Sequence, residues 1–436
     1  MITQRYLAES ATAPSDFIWA SGVENTFVPQ TKPGHRSLEE YELMGHYQHW
    51  REDLALAREV GFKAMRWGVP WYRVEPERGT FDWTWTDQVL PYLVEELGIT
   101  PIIDLMHYGC PLWLSREFIS DEYPVLVAEY AGAFAARYAG LVQLYTPFNE
   151  PIVAALMCGK RGLWPPYLRG DRGYVRVMLQ LAKGIQKTAE AIRQNAPGAV
   201  FVDVEATGLS RAARQDLEQL AVEDQRRGYL CYDLITGKVT SGHPLFPWLV
   251  RNGASPDDLA SFVKHPRKLD IIGMNFYPQW SARQLYVDKK GRLASRSVVE
   301  DGTGFAALII DYWLRYRVPI IITETSARGS DETRFQWLEA SLMAVKKLRS
   351  EGVPVLGYTW FPLFTMIDWR YRYGRAPMEQ YQIELGLYRL NESVGRRWLA
   401  TPLVEQFREQ IADPESSVGV LEANQQPPVE AGGCGN

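Results

Sequence analysis

The stretch Tyr145-Thr-Pro-Phe-Asn-Glu-Pro151 decides how the rest of the chain is read. It continues Leu141-Val-Gln-Leu144, a run that with Tyr145 reads as a buried strand, and it sets Glu150 just past the strand end between Asn149 and Pro151. A second stretch, Pro319-Ile-Ile-Ile-Thr-Glu-Thr-Ser326, repeats the arrangement: three isoleucines and Thr323 lead straight into Glu324. A strand that ends in an acid is how a barrel enzyme places a carboxyl group at its mouth. Two such carboxylates are the minimal kit for cleaving a glycosidic bond.

Working outward, residues 17–23, 64–67, 100–105, 141–145, 199–204, 269–275, 319–326 and 353–360 read as eight strands. Helical periodicity fills the intervals, over 37–60, 86–97, 123–139, 174–195, 216–234, 302–316 and 332–349, with a closing helix over 396–411. Pro91 should bend its helix or reset its start, and Gly61 and Gly98 stop the helices before them. Asp288-Lys-Lys-Gly-Arg292 reads as a hairpin turn within an insertion. Strands alternating with helices imply a parallel sheet. No Gly-x-Gly-x-x-Gly follows the first strand, which argues against a doubly wound dinucleotide fold. The expectation is an α/β protein, a single (β/α)8 TIM barrel with loop insertions over residues 1–412. Residues 413–436, rich in Ser, Gln, Pro and Gly, read as a disordered tail.

Composition narrows the partners. Of 436 residues 46% are hydrophobic and 12% aromatic, with 15 Trp and 23 Tyr, which suits a site that stacks flat faces and also suits packing between barrel and helices. A net charge of −5 without a long basic run gives no reason to expect nucleic acid or an anionic membrane as partner. Cys110, Cys158, Cys231 and Cys434 form no Cys-x-x-Cys pair, so free thiols in a reducing compartment are expected. The first residues lack the apolar core of a signal peptide, and no apolar run approaches membrane-spanning length. These features together read as a soluble, cytoplasmic protein, of undetermined oligomeric state.

The strand ends carry the chemistry. In order they present Glu24, Arg66, His107, Asn149 with Glu150, Asn275 with Tyr277, Glu324 and Trp360. In a barrel all of these gather at one face. Any one of them could be structural: Arg66 a buried ion-pair partner, His107 a satisfied core histidine, Trp360 ordinary packing. Their convergence points instead to a site.

These residues resemble glycoside hydrolase family one, the β-glucosidase and β-galactosidase group, within the barrel-glycosidase clan that carries its two glutamates on strands four and seven. The resemblance rests on Phe148-Asn-Glu-Pro151, Ile322-Thr-Glu324, Gly273-Met-Asn-Phe-Tyr277, Arg66, His107 and Gly357-Tyr358, and runs over about residues 17–407. The chain departs from the family in five places, the first being the segment after strand one, where the family's Gln is not recognisable in Val23-Glu-Asn-Thr-Phe27. His107-Tyr108-Gly109 stands for His-Trp-Asp, and Thr323-Glu324-Thr325-Ser326 for Thr-Glu-Asn-Gly. Trp360-Phe-Pro-Leu363 stands for Trp-Ser-Leu, and Asp368-Trp369 takes the place of a sugar-gripping Glu-Trp pair. The cleavage machinery matches and the sugar-reading residues do not.

The resemblance implies a retaining β-glycosidase, exo-acting on a small glycoside. Glu150 is then the acid/base and Glu324 the nucleophile, with Arg66 and Tyr277 donating to Glu324. Asn149 then binds the 2-hydroxyl and His107 another hydroxyl of the same sugar, Asn275 has a supporting role, and Trp360, Asp368, Trp369 and Glu24 bind substrate. It implies no metal or organic cofactor. A transglycosidase, another glycosidase of the clan, and a sugar-binding barrel that has lost activity remain alternatives. A barrel aldolase or isomerase would want a Schiff-base lysine or a phosphate loop near strands seven and eight, and residues 320–329 and 355–364 contain neither.

Overall fold

The computed structural model describes residues 16–391, 397–413 and 418. Eight parallel strands close into a barrel: β1 (Ile18–Gly22), β2 (Ala64–Gly68), β3 (Thr100–Asp104), β4 (Leu144–Thr146), β5 (Val200–Ala206), β6 (Ile271–Asn275), β7 (Ile320–Thr325) and β8 (Val355–Trp360). β1 pairs with β8 on one side and β2 on the other, so the sheet has no free edge. Alternation along each strand divides the side chains between two layers. Ile18, Ala20, Ile102, Leu144, Val202 and Ile321 pack with one another as a cluster of their own. Trp19, Met65, Trp67, Ile103 and Tyr145 belong to the much larger cluster that the helices share.

The main covering helices are α1 (His46–Val60), α2 (Tyr123–Tyr138), α3 (Gly170–Asn195), α4 (Gly302–Tyr316), α5 (Asp331–Ser350) and α6 (Leu403–Ala412). α1 ends where Gly61 takes φ +108°, a left-handed cap whose N–H reaches back to Ala57 and Arg58 carbonyls. α4 and α5 start on Asp301 and Ser330, whose side chains accept from the first free backbone N–H groups.

Three expected elements take a different form. The helix from Thr86 changes at Pro91 into wider turns that run to Glu96, because proline brings no N–H to the helical ladder. The helix expected over 216–234 divides into Glu218–Arg227 and Leu230–Ile235 around Gly228. The closing helix begins at Leu403, since Trp398–Ala400 instead pairs antiparallel with Tyr388–Leu390 and Pro402 opens the helix. The expected hairpin is present as Ala282–Val287 and Leu293–Ser297, and Leu209–Ala212 adds a parallel third strand to it. The tail expected over 413–436 lies, apart from Asp413 and Val418, outside the described residues. Among the described residues, no helix is long and apolar enough to cross a membrane.

Candidate active site

A cavity of about 590 Å³ opens at the C-terminal ends of the strands. Glu24, Tyr108, Glu150, Asn275, Tyr277 and Glu324 line its inner part, and Asp368, Trp369 and Arg370 line one wall. Its outer part runs past Ile152, Val153 and Leu156 to the three-stranded insertion, where Trp280 and Arg283 contribute.

The backbone aims the two glutamates. Along β7 the register jumps: Ile322 pairs with Met274 but Glu324 pairs with Asn275, so Thr323 is the extra residue of a bulge. A bulge lets consecutive side chains share one face and re-aims the residues beyond it. Thr323 accordingly donates through Oγ1 to Asn275 Oδ1 at 2.7 Å, while Glu324 next to it lines the cavity. Glu150 sits just beyond β4 at φ +51°, with its N–H bonded to Val204 O at 3.2 Å. The short helix Pro151–Ala154 follows at once.

The surroundings of the two carboxyls differ. Glu324 Oε1 accepts from Arg66 Nη1, a contact of a guanidinium that is 1% exposed, and Glu324 Oε2 accepts from Tyr277 Oη at 2.7 Å. Glu150 has only uncharged donors: Asn275 Nδ2 to Oε1 at 2.9 Å and Tyr108 Oη to Oε2. Burial pushes the Glu150 carboxyl up to about 7, with the nearby Glu324 charge adding to the push and the Tyr108 and Asn275 hydrogen bonds opposing it. Glu24 is raised too, first by burial, against the pull of His107.

Asp104 is the hub beneath them. Its Oδ2 accepts from Arg66 Nη2 at 3.0 Å and from His107 Nδ1 at 2.8 Å. With Nδ1 so engaged, His107 Nε2 accepts from Asn149 Nδ2 at 3.0 Å. Burial opposes charge on His107, but the carboxylates of Asp104 and Glu24 outweigh it and raise its pKa. Asn149 Oδ1 accepts from Arg66 Nη2 at 2.9 Å and Asn275 Nδ2 at 3.2 Å.

The expected site residues therefore fall into three groups. Glu24, Glu150, Asn275, Tyr277, Glu324, Asp368 and Trp369 border the cavity. Arg66, His107 and Asn149 lie behind that border, 1%, 3% and 0% exposed, tied into the network around Asp104. Trp360 departs from expectation. It is fully buried, donates through Nε1 to Leu385 O at 2.9 Å, and meets Phe407 of α6 edge-on at 5.4 Å. A bulge early in β8, between Val355 and Gly357, fixes the alternation that sends Tyr358 and Trp360 to the helix side. The next residue, Phe361, packs 5.5 Å from the Arg66 guanidinium instead. Asp368 reaches the wall, but its carboxylate is gripped by Arg370, through Nε at 2.9 Å and through Nη2.

Sequence reasoning does not single out Tyr108, Asp104 or Trp164. Trp164 is fully buried and backs both Tyr108 and Trp369, at 5.1 and 5.0 Å. A signal exists for Asp104: it ends the apolar strand Ile102-Ile103-Asp104 at a position of the same parity as Ile102, which faces the barrel interior. Among the described residues, no cluster of three or more His, Cys, Asp or Glu is arranged to hold a metal ion.

Residues 30–229 match the family model described as Glycosyl hydrolase family 1. Among curated proteins, Beta-glucosidase A of Thermotoga maritima is 24% identical over 379 residues, covering 76% of this chain and 80% of its own length. An aryl-phospho-beta-D-glucosidase of Bacillus subtilis is 24% identical over 411 residues, covering 80% of this chain and 82% of its own length. In fold, the family 1 β-glucosidase of Thermotoga maritima, solved with isofagomine lactam, superposes with a TM-score of 0.78 at 19% identity. That match covers 92% of this chain and 98% of the other.

Proposed function

We propose that this chain, a glycoside hydrolase of the family 1 type, cleaves β-linked glycosides with retention of configuration, acting on the terminal sugar of a small glycoside. The observation that carries the reading is the unequal pair at the ends of β4 and β7. Glu324 receives a guanidinium and a phenol, Glu150 receives only neutral donors and is pushed up to about 7 by burial, and both line one cavity. Two carboxyls in such unequal surroundings divide into an acid and a nucleophile.

On this reading Glu324 attacks the anomeric carbon while Glu150 delivers its proton to the departing oxygen. Water then displaces Glu324, and Glu150 takes the proton that water gives up. Arg66 and Tyr277 stabilise the charge that returns to Glu324 when the covalent bond breaks. Tyr277 and Trp369 offer apolar faces to the ring, and Glu24 and Asp368 offer acceptors to its hydroxyls. His107 and Asn149 act through the network that holds Arg66 and Glu150 in place. The same reading places the enzyme in the cytoplasm, which the free, buried thiols of Cys110, Cys158 and Cys231 support.

A panel of nitrophenyl glycosides of both anomers tests it, with proton NMR of the first product. Phosphorylated sugars belong in the panel, given the phospho-glucosidase among the relatives and the arginines, Arg161 and Arg328 among them, that line the cavity. The expected result is release from one or more β-glycosides with the β-anomer formed first. Release from α-glycosides only, or an α-anomer first, would overturn it.

A further inference from the structure

Two residues joined by one hydrogen bond both stand on left-handed backbone. Tyr108 has φ +77° and Glu150 φ +51°, and Tyr108 Oη donates to Glu150 Oε2. Non-glycine residues rarely adopt that region, and they persist there where their surroundings over-determine them. The surroundings of Tyr108 do so. Phe27 N donates to His107 O at 3.0 Å, and a Cβ on Gly109 would fall 1.8 Å from Phe27 O, so the turn is pressed against that segment. The Tyr108 ring is clasped by Trp164 and Trp369 at 5.1 and 5.8 Å. Its hydroxyl is oriented as well. Asn149 Nδ2 donates to it at 3.2 Å, which leaves the phenolic hydrogen for Glu150.

We infer that Tyr108 is a positioning residue for Glu150, holding the carboxylate form ready to take a proton from water and releasing it when Glu150 carries the proton for the leaving group. The inference rests on the acid/base reading of Glu150. Glu150 Oε1 faces the fixed donor Asn275 Nδ2, so the mobile proton belongs on Oε2. In the first half-reaction that proton passes to the glycosidic oxygen as its bond to carbon breaks and Glu324 bonds to carbon. Oε2 is then free to accept from Tyr108. In the second half-reaction water bonds to carbon, Glu324 leaves as carboxylate, and the proton of water returns to Glu150. Tyr108 keeps its own hydrogen throughout, since burial raises its phenol well above the ordinary range.

The titratable groups facing Glu150 are Glu324 on β7, His107 and Tyr108 after β3, Glu205 on β5 and Tyr277 after β6. Of these, Tyr108 alone donates a hydrogen bond to the Glu150 carboxyl group.

The test is Tyr108→Phe, which removes one oxygen and keeps the ring. The alkaline limb of kcat/KM should move up by about 1 pH unit, because a donor to the charged form is gone. With dinitrophenyl glycosides, whose slow step is the second, kcat should fall about three- to tenfold. With a poor leaving group, kcat/KM should hold steady or rise above neutral pH. In a Glu150→Ala background rescued by azide, adding Tyr108→Phe should change the rate by less than about twofold, since the partner is absent. An unmoved limb, equal losses in both half-reactions, or an undiminished effect without Glu150 would overturn the inference. If Glu150→Ala itself slowed activated and unactivated substrates alike, the acid/base reading would fall, and this inference with it.

Discussion

Asn275 Nδ2 lies 2.9 Å from Glu150 Oε1, and the oxygen of the same amide accepts from Thr323 Oγ1, the residue before Glu324. One side chain on β6 thereby spaces the two carboxyl-bearing strands. Asn275→Ala should lower kcat/KM by about 10- to 100-fold, because it frees Glu150 Oε1 and the bulge residue Thr323 at once and so loosens the spacing of the two carboxyls. Asn275→Asp should shift the alkaline limb up, because a like charge beside Glu150 favours its protonated form. A pH profile of each variant checks both.

The two glutamates should fail in different ways. Glu324→Gly removes the attacking group and leaves room for a small anion, so azide or formate should restore turnover with an inverted product. Glu150→Ala should slow substrates with poor leaving groups by about 10²- to 10⁴-fold while sparing nitrophenyl glycosides, and azide should then give a retained product. Swapped behaviour would reverse the roles.

Stability should fall as pH rises through the neutral range. Glu39 and Glu150 are each pushed up to about 7 by burial, and Glu24, Glu40 and Glu205 are raised for the same first cause. Each has a folded pKa above its unfolded value. The native state therefore binds more protons than the unfolded state, and the contribution is full below about pH 4.5 and is lost through about pH 7. Groups such as Glu39 and Glu150 should each contribute about 2–3 kcal/mol to that loss. Urea unfolding at pH 5 and pH 8 measures it. Glu205→Gln keeps an acceptor for the Ile152 and Ala206 N–H groups, and it should flatten the slope.

Trp360 and Trp369 should separate stability from binding. Trp360→Phe strands a buried carbonyl at Leu385 and should cost about 1–3 kcal/mol with KM unchanged. Trp369→Ala strips the cavity wall and should raise KM about two- to tenfold. Thermal melts beside steady-state kinetics report both.

Period and strand-end chemistry make the barrel legible in the sequence. Helix 302–316 is where its periodicity puts it, because Asp301 caps it and its apolar face is continuous. The closing helix starts later than its periodicity suggests, because pairing of Trp398–Ala400 with Tyr388–Leu390 is a tertiary choice that local periodicity does not encode. Trp360 illustrates the same limit at one residue. Which way it points depends on a bulge near the start of its strand, and a bulge leaves no mark in composition. Tyr108 is visible in the sequence only as a departure from the family pattern. Its role needs the fold, which brings Glu150 to its hydroxyl from the end of the next strand.

The bulge in β7 makes residue count the guarded quantity ahead of Glu324. Ile320→Val or Ile322→Val should be absorbed, each at about 1 kcal/mol. Deleting Thr323 would leave the Val355–Gly357 bulge of β8 without its counterpart in β7 and would remove the Oγ1 hydrogen bond that holds Asn275. Natural and laboratory variation should thus be generous in spelling and intolerant of insertion or deletion along this segment, a signature that a deletion scan read by growth or turnover would expose codon by codon.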